Sequence, residues 1–340
     1  MKTYHNLILA SALLLTSFTA LSQNTQGTKS LVDEGVALYD KGDYNGAMEK
    51  YNAALKINPN DLRADYEMAY TLETLRKGLD AVPYLEKILQ SNDSKYETYQ
   101  LLGTIYDENG QPEKAIEAYR AGIKEKPDFA LLHMNLGITL MGQKKYPEAE
   151  AEYTEALKLD PTHASNHRLY GLNAYKQSKR ADALLAWCNF LLLEPQSQRS
   201  AEGVVYVKNI LTYGIKKGDK KNININISSS DLGSVNLMMQ MAVVASTIDK
   251  KNLSAVDSLA LQLTSVFQVI GEQADKIDSP FFGSFYAKYF KKLAESGNMP
   301  AFAHYITMSA YKDENLAWFK DHEKDLNNLE AWTKDTKRDF

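Results

Sequence analysis

The sequence predicts an all-α protein, a right-handed α-solenoid of about five helix pairs followed by a C-terminal helical domain. The first observation is an alanine that recurs every 34 residues, at Ala47, Ala81, Ala115, Ala149 and Ala183. The second is that small, aromatic and proline residues return in register around each alanine. A fixed period of this length is typical of stacked helix–turn–helix units, because one unit cannot bury its apolar face alone.

The repeat block covers residues 28–197, and we divide it into units at 28–61, 62–95, 96–129, 130–163 and 164–197. The eighth position of each unit is small: Gly35, Ala69, Gly103, Gly137 and Gly171. Four residues after each alanine comes a large side chain: Tyr51, Leu85, Tyr119, Tyr153 and Trp187. Proline lies near the end of every unit except the second, at Pro59, Pro127, Pro161 and Pro195. We expect small residues to let helix backbones approach, large ones to fill the space between pairs, and proline to end the second helix.

The third unit carries Leu102-Gly103, Tyr106, Ala115, Tyr119 and Pro127. This pattern resembles the tetratricopeptide repeat (TPR) family, whose consensus has Leu-Gly, Tyr, Ala, Phe or Tyr, and Pro at these spacings. The resemblance implies a binding scaffold whose first helices line a concave groove. It places the lining side chains at the second, fifth, ninth and twelfth positions of each unit.

The groove side chains that this register selects are mixed in character. The predicted peptide-groove residues are Tyr66, Tyr70, Gln100, Met134, Ile138, Met141, Arg168, Leu172 and Tyr175. The Lys, Arg and Asn residues of the carboxylate clamp known in this family are missing from the corresponding positions, which argues against a chaperone C-terminus as partner. The last two units instead offer an apolar strip from Met134 to Tyr175, which suits a helix or an extended peptide. The C-terminal part of the same chain is the alternative occupant of that strip, and the sequence favours neither.

The first residues predict an export signal. Lys2 supplies a positive end, Leu7 to Leu21 is a short apolar run, and Ala20 and Ser22 are small residues at the positions that a signal peptidase reads. We therefore expect a signal peptide at 1–22 and a mature chain that starts at Gln23. No cysteine follows the run, so the prediction is an exported protein, periplasmic or secreted and not a lipoprotein, in a bacterial envelope.

The charge balance argues against nucleic acid as a partner. The formal net charge is −4, whereas phosphate binding requires a concentrated basic face. The one dense basic run, Lys216 to Lys221, is interpreted as a solvated turn, with contact to an anionic membrane surface as the alternative. No segment beyond the leader is apolar enough to predict a transmembrane span.

The C-terminal region loses the 34-residue register. Apolar residues at helical spacing up to Ile215 predict a capping helix at 198–218, and residues 219–340 are expected to form a helical domain. Isoleucines alternate with asparagines near Asn222, which predicts a short strand at 222–228 that lies over the helices or pairs with another chain.

Three further features divide this C-terminal domain. A helix is predicted from Leu232 to about Ile248, capped by Ser229-Ser230-Asp231, with its methionines in the core. A second helix is expected at about Leu253 to Ala274. Pro280-Phe281-Phe282-Gly283 is expected to break the chain before two or three aromatic-rich helices.

Signatures of catalysis and of metal binding were sought in the sequence. It contains no Gly-rich phosphate loop, no Gly-x-Ser-x-Gly and no His-Glu-x-x-His. His163 and His167 are four residues apart, but we interpret them as solvated residues at a unit boundary rather than as metal ligands. Cys188, the single cysteine, is expected to be a buried, inert thiol. No catalytic residue, no metal site and no cofactor is predicted, and the protein is not expected to be an enzyme.

The function predicted from these features is an exported TPR scaffold that binds a peptide or partner protein in its concave groove. Two alternatives come from other classes of protein. In the first, the C-terminal domain binds a ligand or catalyses a reaction and the repeats recruit a partner. In the second, the protein is structural, and the strand at 222–228 pairs between chains.

Overall fold

The computed structural model describes residues 26–91, 95–217, 223–225, 234–248, 250, 252–276, 279 and 281–338. The predicted leader with its cleavage site lies outside the described residues, as do Asn222 and 226–228 of the predicted strand. The described chain divides into two compact units, one up to Thr139 and one from Leu140. Each of these units is treated separately below.

Helices account for nearly all of the regular structure in the described residues. Those of the repeat block are α1 (26–39), α2 (Tyr44–Ile57), α3 (Leu62–Thr74), α4 (Gly78–Leu89), α5 (Tyr96–Glu108), α6 (Pro112–Glu125), α7 (Ala130–Gly142), α8 (Tyr146–Leu159), α9 (Ala164–Lys176) and α10 (Arg180–Leu193). Those that follow are α11 (Gln198–Thr212), α12 (Val235–Thr247), α13 (Ala255–Glu272), α14 (Lys288–Glu295), α15 (Met299–Ile306), α16 (Lys312–Asp321) and α17 (Glu323–Asp335). Two strands, β1 (Ile215–Lys217) and β2 (Ile223–Ile225), a 3₁₀ helix Ala274–Lys276 and a π-helical segment Phe282–Ala287 complete the described elements.

The first unit is built from helix pairs whose register follows the repeat. Asp43 and Asp61 cap α2 and α3 by accepting hydrogen bonds from the Gly46 and Ala64 backbone N–H groups. The period-34 alanines of this unit are fully buried. The described helices therefore confirm the all-α repeat architecture that the sequence predicts.

The glycines at the eighth position of the repeat are small for a different reason from the one predicted. A Cβ atom on Gly35 would lie 2.3 Å from Cε1 of Tyr51, and one on Gly103 would lie 2.4 Å from Cε1 of Tyr119. Each ring thus packs directly against the glycine of its own 34-residue repeat. The small residue makes room for the aromatic ring of the second helix, rather than for a helix backbone alone.

The second unit centres on α10, which is buried around its whole circumference. Its sequence is apolar on every face, and α9, α11, α12, α15 and the π-helical segment all pack against it. Trp187 on α10 is fully buried and stacks on Tyr206 of α11, with ring centroids 4.5 Å apart. The last repeat helix is therefore also the core helix of the C-terminal region.

The predicted capping helix at 198–218 is too long. In the structure α11 ends at Thr212, because Gly214 adopts a left-handed backbone with φ of 73°. Ile215 to Lys217 then form β1, which pairs antiparallel with β2, Ile215 opposite Ile225. The predicted strand has its partner within the same chain, and the partner was hidden because Ile215 continues the helical spacing.

Further boundaries in the C-terminal region also differ from the prediction. Helix α12 begins at Val235, and its methionines are not all in the core: Met239 is buried, but Met238 and Met241 are 37% and 58% exposed. Helix α13 is shorter than predicted. Phe281 and Gly283 are helical rather than a break, since the π-helical segment runs straight into α14. Four aromatic-bearing helices follow, not two or three.

Candidate functional site

The positions that the TPR register selects form a distinct stripe on each first helix. On α9, Ser165, Arg168, Leu172 and Tyr175 are half-buried, whereas Asn166, His167, Leu169, Tyr170, Gly171, Asn173 and Ala174 are buried. On α5 the same contrast separates Glu97, Gln100, Thr104 and Asp107 from the buried Thr98, Leu101, Leu102, Gly103, Ile105 and Tyr106. We call the residues at the second, fifth, ninth and twelfth positions of each unit the groove face.

Tyrosines are the prominent groove-face residues of the first two 34-residue repeats. The rings of Tyr39 and Tyr70 lie 5.5 Å apart, and the Tyr39 ring also lies 5.1 Å from Tyr44. The Tyr39 and Thr74 hydroxyls are hydrogen-bonded at 2.8 Å. Tyr70 nevertheless keeps 42% of its surface exposed. An aromatic surface held in place by a hydrogen bond is thus open to a partner.

A cleft of about 570 Å³ lies between α3 and α5 on this face. Arg63, Tyr66 and Glu97 line it together with Ile88 and other residues, and Arg63 forms a 2.6 Å ion pair with Asp33. Burial, and then the nearby Glu97 carboxylate, raise the pKa of the Tyr66 hydroxyl to about 12. Tyr66 therefore stays a neutral hydrogen-bond donor at any physiological pH.

Carboxylates occupy the last turns of α3 and α5. Burial, and then repulsion by Glu108, raise the pKa of Glu73 above its ordinary value. Burial raises the pKa of Asp107, and a hydrogen bond to Thr139 acts in the opposite direction. In the middle of α5 the Thr104 hydroxyl links the Gln100 side chain at 3.3 Å to the Tyr119 hydroxyl at 3.3 Å. The groove face on α3 and α5 is thus polar, acidic and aromatic.

The predicted apolar strip is distributed over both units. Met134 and Ile138 are half-buried on α7 in the first unit. In the second unit Met141 is half-buried and accepts a weak hydrogen bond from the Tyr153 hydroxyl at 4.0 Å, while Leu172 is half-buried on α9. Each residue is partly open, and the use of the strip as one binding site stays a prediction.

Helix α11 is the neighbour of the groove face on α9. Arg168 lies 3.9 Å from the Glu202 carboxylate, and the Tyr175 and Tyr206 rings meet edge-to-face at 5.2 Å. Helices of the C-terminal region reach α9 elsewhere, because Tyr286 contacts His167 and Tyr170. His167 and Tyr170 lie on a different side of α9 from Leu172. These contacts leave the groove positions of α9 to α11 and to solvent.

The structure corrects the interpretation of His167 as a solvated residue. His167 is fully buried, with Nε2 2.8 Å from the Pro161 carbonyl and Nδ1 2.6 Å from the Tyr286 hydroxyl. Nε2 therefore carries the proton and donates to Pro161, while Nδ1 accepts from Tyr286. Burial lowers the pKa of this imidazole to about 3. Sequence reasoning missed the pair because Tyr286 lies 119 residues later in the chain.

A second polar group, which is half-buried, lies nearby on the C-terminal side. The Arg338 guanidinium donates to the Phe285 carbonyl at 3.1 Å and to Asn189 Oδ1, and its carbon lies 3.6 Å from the centroid of the Tyr289 ring. Asn189 also lies against His167. No sequence motif marks Arg338, which comes three residues after the end of α17.

The repeats also contain two carboxylates, Asp182 and Glu150, whose charges interact. Asp182 on α10 accepts a hydrogen bond from Tyr170 at 3.3 Å, and Glu150 is 2.5 Å from Lys179. Burial, and then repulsion by Glu150, raise the pKa of Asp182 to about 7. Such a group can exchange a proton near neutral pH. Its contacts are to neighbouring repeat helices, which is typical of a packed structural network.

The remaining chemical candidates are inert in the structure. Cys188 is buried as expected, and burial raises the pKa of its thiol. His163 is exposed, whereas His167 is buried, so the two do not present one open face. Within the ranges described, no group of three or more His, Cys, Asp or Glu residues is placed to hold a metal ion. Within those same ranges no helix combines the length and apolar character needed to cross a bilayer.

Comparison with known proteins identifies the repeats. Residues 101–164 match a family model described as tetratricopeptide repeat, and residues 35–75 match one described as TPR repeat. Together with the register and packing of the helix pairs, these matches show that the chain contains tetratricopeptide repeats.

Individual relatives share only part of their length with this chain. Human tetratricopeptide repeat protein 33 is 32% identical over 137 residues, which cover 37% of this chain and 52% of that protein. Human protein O-mannosyl-transferase TMTC1 is 28% identical over 174 residues, 50% of this chain and 20% of that protein. The chain spans about half or less of the length of the first curated relatives it matches. A crystal structure of YrrB, whose title calls it a TPR protein with an unusual peptide-binding site, is 17% identical, with a TM-score of 0.46 over 56% of this chain and 97% of that chain.

Proposed function

We propose that this protein is a scaffold that binds a segment of a partner protein along its groove face. The observation that carries the proposal is the burial contrast on α5 and α9, where the four groove positions stay partly exposed and most of the other positions are buried. Any amphipathic helix leaves one face open, but here the open face coincides with the positions that the repeat register assigns to the groove. Exposed tyrosine and half-buried methionine on the stripe support protein contact, since such side chains are enriched in interfaces.

The proposal assigns the repeats no catalytic step. TMTC1 is named a transferase, but the matched region is a fifth of that protein. The raised pKa of Asp182 is accounted for by burial between packed helices. Neither observation supplies a nucleophile, a base and an open substrate site together.

The apolar part of the groove face gives the first test. We expect Met134→Glu combined with Leu172→Glu to abolish partner capture by the tagged protein from an envelope extract, because both changes place carboxylates on the apolar strip. Since both side chains are only half-buried, the melting temperature should fall only slightly. Leu79→Glu combined with Leu159→Glu is the matched control, since these leucines are 49% and 39% exposed on second helices.

The two readouts of this double variant separate the alternatives. Loss of capture with a near-native melting temperature supports an open groove. A collapsed melting temperature means that other residues of the chain cover the strip, because an unpaired buried charge is expensive. Unchanged capture with a native melting temperature removes this strip from the proposal.

We also propose that the protein acts in the bacterial envelope, which rests on the sequence of the first 22 residues alone. N-terminal sequencing of protein purified from fractionated cells should give Gln23 as the first residue, in the periplasmic or secreted fraction. An intact Met1 on protein in the cytosolic fraction would overturn the proposed location and leave the groove proposal untouched.

A further inference from the structure

An open cavity of about 550 Å³ lies in the second unit, away from the groove face. Its walls come from the end of α10, from α14 and α15, and from α17 with the residues that follow it. Ligand sites of small molecules have volumes of about 300–1,000 Å³. The cavity is therefore large enough for a molecule of that size.

Most of the cavity wall is apolar. It is lined by Leu192 and Leu193 of α10, by Leu329 of α17 and by the rings of Tyr289 and Tyr305. Leu193 is 42% exposed, so an apolar side chain stands where solvent enters. A wall of this kind removes a hydrocarbon chain from water, which is favourable by about 25 cal/mol per Å² of buried apolar surface.

Positive charge is also present in the cavity lining. The lining includes Lys334, Lys337 and Arg338, and in the part of the chain that is described no ion pair within 4.0 Å involves any of them. The Arg338 guanidinium donates to two neutral acceptors, Phe285 O and Asn189 Oδ1, and rests on aromatic rings. Burial lowers the pKa of Arg338, so its charge is held at a cost. An anionic group beside it would offset that cost.

One carboxylate, Glu330, also lines the cavity, and its position bears on which ligand the cavity can hold. Its charge contributes to the raised pKa of Tyr305, so it lies near that side chain on α15. Glu330 is exposed, as are Lys334 and Lys337. The cavity lining thus combines apolar side chains with one exposed carboxylate and three cationic groups, one of them a partly buried guanidinium.

We propose that this cavity binds a small amphiphilic monocarboxylate, with the carboxylate at Arg338 and the hydrocarbon chain along Leu192, Leu329 and Tyr289. The apolar walls disfavour a fully hydrated inorganic anion, and the excess of cationic over anionic side chains in the lining disfavours an amine. The site is independent of the groove face, so it stands or falls separately from the scaffold function. It gives the C-terminal helices a ligand-binding role.

The test is isothermal titration of the whole protein with decanoate below its micelle concentration, and in parallel with 1-decanol. We expect saturable binding of one decanoate per chain and binding of 1-decanol at least about tenfold weaker. Arg338→Gln should weaken decanoate binding at least about tenfold and leave 1-decanol binding nearly unchanged. The difference between the two ligands isolates the contribution of the carboxylate.

A second pair of variants keeps the proposal falsifiable if Arg338→Gln disturbs the fold. Lys334→Gln combined with Lys337→Gln changes only exposed side chains and should weaken decanoate binding severalfold. Lys320→Gln combined with Lys324→Gln alters the net charge equally at exposed positions outside the cavity lining and should have no effect. Failure to bind decanoate, equal affinity for 1-decanol, or equal weakening by both lysine pairs would overturn the proposal.

Discussion

Trp187→Ala is expected to destabilise the second unit by about 3–5 kcal/mol, the range measured for removal of a large buried aromatic side chain. Trp187 is fully buried, stacks on Tyr206 and meets Phe190 edge-to-face at 5.7 Å. The substitution therefore opens a cavity between the last repeat and α11. Urea unfolding followed by tryptophan fluorescence measures the loss.

The two other tryptophans make this measurement selective. Trp318 and Trp332 both lie after Leu140, so the fluorescence that remains reports on the second unit alone. Trp318→Ala is the matched control, and we expect a smaller loss because Trp318 is only half-buried. Equal losses for the two variants would contradict the central role assigned to α10.

The second large effect is a dependence of stability on pH that comes from His167. Its pKa is about 3 in the folded protein and about 6.5 when exposed. Above pH 6.5 the ring is neutral in both states, and its full contribution to stability is present. Below pH 6.5 the unfolded chain gains a proton that the folded chain refuses, so the free energy of unfolding falls by about 1.4 kcal/mol per pH unit toward pH 3.

His167→Gln removes this titration and so reveals its size. At pH 8 we expect the variant to be less stable than the wild type by about 1–3 kcal/mol, because the Pro161 carbonyl and the Tyr286 hydroxyl lose the imidazole to which they are hydrogen-bonded. The difference should shrink as the pH is lowered from 7 to 5, because only the wild type carries the histidine penalty. Asp182 titrates in both proteins, so its contribution cancels.

His163→Gln is the control for the acid experiment. His163 is an exposed residue four positions earlier, and its replacement should leave the pH profile of the wild type unchanged. The measurement is the free energy of unfolding in urea at pH 8, 7, 6 and 5, read by tryptophan fluorescence. A difference between wild type and His167→Gln that stays constant over this range would show that the pKa of His167 is the same in the folded and unfolded states, which would contradict its lowering by burial.

The repeat block could be predicted closely from the sequence because its determinants are local and periodic. Gly103 and Tyr119 lie within one unit, so their contact is already implied by the spacing. The groove positions follow from the same register, and the burial pattern on α9 agrees with it. No local pattern identifies what occupies the groove, because the repeat spacing describes neither a second molecule nor a distant segment of the same chain.

The C-terminal region was predicted less well because its structure depends on contacts between distant residues. The antiparallel pairing of Ile215 with Ile225 competes with a helical spacing that is equally good locally, and Gly214 decides between them. The burial of His167 depends on Tyr286, and the position of Arg338 depends on Asn189. Periodicity predicts which face of a helix is apolar, but not which distant polar side chain will complete a buried network.

The most direct test of the scaffold function is site-specific photo-crosslinking in the native cells. A photoreactive phenylalanine replaces Tyr70, which is 42% exposed on the groove face, and in a second strain it replaces Glu117, which is exposed on the second helix of the third unit. The account predicts a covalent partner adduct on a denaturing gel from position 70 and none from position 117. Adducts of equal yield from both positions, or from position 117 alone, would contradict it.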